Sequence, residues 1–120
     1  MLHARRVSPS WAIHGHSPKL LVNSILQDEL FEWDDLKAEA NWQKHGVAFE
    51  AAREVFRDAF ALEWADDRQS TTEQRFVMVG MVESWLLFVS YTLRGERIRI
   101  ISAREAEPRE RRRYHNENKT

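Results

Sequence analysis

Cysteine is absent from these 120 residues. That excludes disulfide staples, thiolate nucleophiles and thiolate metal sites, and it implies no particular redox compartment. No apolar run approaches the roughly 20 residues that a helix needs to span a bilayer. Arg5 and Arg6 stand near the N-terminus without an adjoining apolar segment of signal-peptide length. A soluble, cytoplasmic protein is therefore expected. Internal repeats and low-complexity stretches are also lacking. Net charge is nearly missing too, because 18 Lys and Arg face 19 Asp and Glu, a balance unlike that of a general nucleic-acid coat protein. The balance hides an asymmetry. Residues 94–120 hold 9 Lys and Arg against 5 Asp and Glu, so a basic end follows an acidic body. Such a field steers a polyanion to one face, or pairs with a partner of complementary charge.

The length fits one domain with a core of its own. Residues 1–29 read as an N-terminal extension, with Ser8-Pro9-Ser10 and His14-Gly15-His16-Ser17-Pro18 favouring loops and turns. A short helix is possible from Lys19 to Leu30. His14 and His16 lack the carboxylate or thiolate company of a metal site, and no metal or organic cofactor is expected.

Residues 30–120 carry the periodic signals. Leu30 to Trp33 alternates as a short strand. Asp34 then suits a helix N-cap, and Asp35 adds charge favourable to the helix dipole. That helix runs to about Lys44, and Gly46 suits the left-handed residue after its end. Val47 to Arg57 reads as a second helix, after a tight corner. Phe60 to Trp64 reads as a strand, and Asp66 to Thr72 as a solvated polar loop. Phe76–Val82 and Leu86–Thr92 are rich in β-branched and aromatic residues and form a hairpin. Arg94-Gly95-Glu96 turns into a further strand, and Glu107 to Asn116 reads as a charged helix with Pro108 in its first turn. Glu110 is spaced to pair with Arg113 or Tyr114. Helices on one side of a mostly antiparallel sheet give an α+β fold.

The stretch Arg97-Ile98-Arg99-Ile100-Ile101-Ser102-Ala103-Arg104 is the most informative. Alternation sets Ile98 and Ile100 against Arg97 and Arg99. The alternation breaks at Ile101, so the far end is either buried on both faces or leaving the sheet. Two readings stay open: a solvated edge strand whose arginines deter pairing, or a strand that faces phosphate through bidentate guanidiniums.

Several segments together resemble one family. They are Phe31-Glu32-Trp33-Asp34, Lys37, Asn41, Lys44-His45-Gly46-Val47-x-Phe49-x-x-Ala52, Asp66-Asp67-Arg68 and Glu73-x-Arg75. Tyr91-Thr92-x-Arg94, Ile98-Arg99-Ile100-Ile101-Ser102-Ala103-Arg104-x-Ala106, Glu110-Arg111 and Tyr114 follow in order. This set is similar to the BrnT toxins over about Leu30 to Tyr114. The resemblance implies a RelE-like fold with two N-terminal helices packed on a small sheet and a C-terminal helix. It also implies a ribonuclease toxin of a type II toxin–antitoxin pair, which inhibits translation and growth. The implied partner is a BrnA-like ribbon-helix-helix antitoxin, with which the toxin co-represses its operon, touching operator DNA only through that antitoxin.

RNA carries its own nucleophile, the 2′-OH, so cleavage needs a proton acceptor, cations for the phosphorane and a donor for the leaving 5′ oxygen. The catalytic candidates are Lys44, His45, Arg99, Arg104 and Tyr114, with Arg94, Arg97 and Arg111 as further phosphate-binding residues. Structural roles stand beside three of them. His45 would cap its helix, Tyr114 would pack, and Arg104 would bridge to Glu110. A non-catalytic partner and co-repressor is the competing function, and a Trp-rich interaction surface is a third. The antitoxin is expected over the Arg97–Arg104 face, the terminal helix, or both.

Overall fold

The computed structural model describes residues 30–67 and 73–119. The extension with His14 and His16, the expected helix up to residue 29, and most of the 66–72 loop lie outside them. The described elements are β1 (Phe31–Glu32), α1 (Asp35–His45), α2 (Phe49–Ala52) with a 3-10 segment (Arg53–Arg57), β2 (Leu62–Ala65), β3 (Arg75–Val82), β4 (Trp85–Arg94), β5 (Arg97–Glu105) and α3 (Pro108–Glu117). The fold is α+β. Five strands form one mixed sheet in the order β1-β5-β4-β3-β2. β1 runs parallel to β5, and the other pairings are antiparallel.

Local chemistry sets the element ends. Asp34 accepts hydrogen bonds from the Leu36 and Lys37 amides, at 2.8 and 3.2 Å, as an N-cap should. Gly46 closes α1 at φ 68°, where a side chain would strain the backbone. Glu107 and Glu110 make a reciprocal capping box at the start of α3. The expected second helix is α-helical only over Phe49–Ala52 and then tightens to 3-10 geometry. This segment packs directly on the β3 backbone. A Cβ on Gly80 would stand 2.8 Å from Val55 Cγ1.

Cross-strand register sorts the side chains into two faces. On the first, Val89, Ile100 and Ala103 meet Phe49, Ala52 and Val55 in the main core. On the second, Val77, Val79, Leu86 and Phe88 pack with Ala106 and with Tyr114 of α3. The helices therefore cover both faces, not one as the sequence suggested. Hairpin connections keep the strands in one layer, while the chain leaves β5 beyond Glu105 on the side opposite α1. Asp66 is also a correction. It is buried, and its amide donates to the Arg75 carbonyl at 2.8 Å, so it extends the β2–β3 ladder and does not lie in a solvated loop.

Candidate functional site: an arginine-bearing sheet face

β5 contains one residue more than β4 can pair. Ser90 lies opposite Ser102, but Tyr91 lies opposite Ile100, so Ile101 is bulged out. This resolves the broken alternation. Strict parity would put Arg104 on the isoleucine face, away from Arg99. The bulge resets the period and returns Arg104 to the face that carries Arg97 and Arg99. Ile100 and Ala103 remain together in the main core.

The same register lays out the second face row by row. Glu32, Arg99, Thr92 and Arg75 are neighbours across four strands. Ser102 and Ser90 form the next row, and Arg104 stands beside Phe88 in the row after it. Arg94 and Arg97 oppose each other at the hairpin end, a like-charge pairing that normally costs stability. Arg75 has a buried Nε without a hydrogen-bond partner. Sequence reasoning overlooked Arg75 as a site residue, although its spacing from Glu73 was visible.

Carboxylates hold most of these cations. Arg99 Nη1 donates to Glu32 at 2.9 Å. Arg104 forks onto Glu110 with two bonds of 2.8 Å, donates to the Glu105 carbonyl, and lies 4.0 Å from the Phe88 ring centroid. Arg94 pairs with Glu73 at 3.2 Å, and Arg111 with Glu105 at 3.7 Å. Arg97 donates to the Phe31 carbonyl at 3.4 Å. Glu110 thus pairs with Arg104, not with Arg113 or Tyr114. Its burial opposes ionisation, but the Arg104 bonds, the Glu107 amide and the charges of Arg104 and Arg109 outweigh it and hold the carboxyl below its ordinary range.

Lys44 and His45 arrive from another direction. β1 covers only two residues of β5, and the edge beyond it is closed by α1. Asn41 does this with one buried side chain. Its amide donates to the Ala103 and Val47 carbonyls at 2.9 Å each, and its oxygen accepts the Ala103 amide at 3.1 Å. His45 is one turn beyond Asn41 on the same side of the helix, and it is half-buried. Lys44 is exposed.

Tyr114 is turned elsewhere. Its hydroxyl donates to Asp58 Oδ2 at 2.7 Å. That oxygen also accepts the Met81 amide at 2.8 Å, a β3 donor beyond the end of β2. Burial, reinforced by the bond to Asp58 and its charge, pushes the phenol up to about 12. Burial disfavours the Asp58 carboxylate, but the amides of Met81 and Phe60 and the Tyr114 hydroxyl outweigh this and lower its pKa. β3 is two strand spacings from β5, about 10 Å. The structure therefore places the arginines on one face and ties α1 to the β5 edge through Asn41, but it does not bring the Tyr114 hydroxyl to the arginines. Asn41 and Asp58 hold this arrangement; Asn41 stood in the sequence only as one residue of the family-like set, and Asp58 had no signature there.

Two clefts differ in sign. One, of about 380 Å³ between α1 and α2, is lined by Trp33, Trp42 and Phe49 with Asp35, Glu39 and Glu50. The other, of about 240 Å³, lies under α3 on the arginine face. No helix among the described residues is long and apolar enough to cross a membrane. Comparison with curated proteins finds no match. The model of the family described as the ribonuclease toxin BrnT of type II toxin–antitoxin systems matches residues 33–110, which run from just after β1 to the first turn of α3 and include β2 to β5. The chain belongs to the BrnT family of ribonuclease toxins.

Proposed function

We propose that this protein cleaves RNA on the second sheet face, by metal-independent attack of the 2′-OH on the adjacent phosphate. The observation that carries this reading is the bulge at Ile101, which sets Arg99 and Arg104 on one face with Arg75 and the Ser90–Ser102 pair between and beside them. A guanidinium has five donors. Arg99 holds Glu32 through Nη1, and its fork is aimed at phosphate oxygens. Arg104 is committed to Glu110 at both ends, so it acts by field and by fixing α3, or exchanges that carboxylate for phosphate. Arg94, Arg97 and Arg111 extend the cationic track. His45 or Lys44 takes the 2′-OH proton from the β5 edge and returns one to the departing 5′ oxygen. Tyr114 braces α3 through Asp58, and its hydroxyl keeps its proton at neutral pH.

The supporting frame is RelE-like, and the setting is the cytoplasm, where cleavage inhibits translation and growth. A BrnA-like ribbon-helix-helix antitoxin covers the arginine face or α3, silences the toxin and joins it in repressing their operon. The saturated ion pairs favour a second reading, a non-catalytic partner and co-repressor. One experiment separates them. Purified protein incubated with single-stranded RNA in EDTA yields fragments ending in 2′,3′-cyclic phosphate and 5′-OH, and Arg99→Ala with an unchanged circular dichroism spectrum abolishes them. Inhibition by EDTA, or 5′-phosphate products, refutes the mechanism. No cleavage of any RNA favours the co-repressor.

A further inference from the structure

The cleft under α3 has a composition that the cleavage chemistry does not use. Trp64 of β2 is half-buried on the arginine face, opposite Val77, and its ring meets Phe88 edge-on at 6.4 Å. The Arg113 guanidinium lies 4.4 Å from the Trp64 ring centroid. Arg109 and Glu110 complete the lining, and Glu110 is already held by Arg104. An aromatic plane, capped by a half-exposed cation whose ion pair with Glu117 is long, at 3.8 Å, and exposed, is what a planar π-system recognises in single-stranded nucleic acid. The cleft is smaller than the roughly 300–1,000 Å³ of a drug-sized site, which suits one heterocyclic base. Its excess of arginine also separates it from the acidic cleft between α1 and α2, which repels a polyanion.

We infer that this cleft is a base-stacking subsite. One unpaired base of the RNA slides onto Trp64 and displaces Arg113, which turns to a neighbouring phosphate. Arg104, on the Phe88 ring that forms the cleft wall, joins this subsite to the phosphate-binding face. Trp64 thereby sets which nucleotide is presented beside the scissile bond. The inference rests on the ribonuclease reading, and it adds a recognition element that reads the base and not the backbone.

The test uses the full chain and 2′-O-methyl octaribonucleotides, which lack the nucleophile and stay intact. Binding is followed by fluorescence anisotropy for each of the four bases and for an abasic octamer of equal charge. Trp64→Leu is expected to weaken binding of the base-bearing probes by about tenfold or more, leave the abasic probe unchanged, and be rescued by Trp64→Phe. Arg109→Gln, at an exposed position of the cleft, weakens all five probes alike as a charge contact does; if Trp64→Leu does not fold, the wild-type protein's affinities for base-bearing and abasic probes carry the test, and equal affinities overturn the subsite. Wild-type protein that binds the probes with Trp64→Leu binding equally well overturns the subsite and leaves the cleavage reading standing. Wild-type protein that binds no probe overturns both. Loss of antitoxin binding without loss of probe binding reassigns the cleft to a protein partner and overturns the proposal.

Discussion

Asn41→Ala tests whether one buried amide holds the helix layer to the open edge of the sheet. Truncation leaves three backbone groups without partners: the amide and carbonyl of Ala103 and the carbonyl of Val47. A buried polar group left unsatisfied costs about 1–3 kcal/mol. The carbonyls relax more easily than the amide, and water entering the site recovers part of the loss, so the sum is set at about 3 kcal/mol. Against a total stability of about 5–15 kcal/mol, that is a large share. For a domain of this size it lowers the melting temperature by about 10 °C. Thermal unfolding by circular dichroism, supported by urea titration, measures it. Asn41→Asp supplies the second arm. Its carboxylate still accepts the Ala103 amide but faces two carbonyl oxygens, so it is at least as damaging as alanine at neutral pH. It recovers stability as the pH falls and the acid becomes a donor. A loss below 1 kcal/mol for Asn41→Ala, or an Asn41→Asp variant insensitive to pH, refutes the account of the edge. Cleavage should fall with Asn41→Ala even where the protein remains folded, because His45 is one turn along the same helix.

Further predictions follow from the same contacts. Gly80→Ala pushes a methyl into Val55 and Ala61, at 2.8 and 3.1 Å, and should cost about 1–3 kcal/mol in chemical denaturation. Tyr114 bears on alkaline stability. Its folded pKa is raised to about 12, so its contribution is intact below the unfolded value near 10 and is lost as the pH rises toward 12. Tyr114→Phe should flatten the stability profile in that window, measured by urea midpoints. Glu110 has a lowered pKa, so its contribution is present above the unfolded value near 4.3 and is lost as the pH falls through the folded one. Glu110→Gln should remove that acid dependence. Arg104→Lys keeps the charge but not the fork. It should lose stability, and it should cut cleavage at least tenfold if Arg104 contacts the phosphate, as single-turnover rates would show.

Much of the architecture was legible locally. Asp34 and Gly46 bound α1 because their chemistry is that of caps, and the Phe76–Thr92 region forms a hairpin because its β-branched and aromatic residues fit a half-buried pleat. The arginines of β5 stood out for the same reason, since alternation is a property of the strand itself. What the sequence left open was the consequence of one extra residue. Whether Ile101 ends the strand or bulges from it depends on how β4 pairs, and that decides whether Arg99 and Arg104 share a face. The partners of Arg99 and Arg104 come from 67 and 6 residues away, and the β5 edge is closed by an amide 62 residues distant. Tyr114 shows the same limit, since its fate rests on Asp58, 56 residues earlier. Residue type and period fix what a segment can do, because those preferences act within a few bonds. Which charges meet, which stay exposed to a ligand and which proton is held fast are decided only when distant segments pack, because burial and pairing belong to the assembled fold.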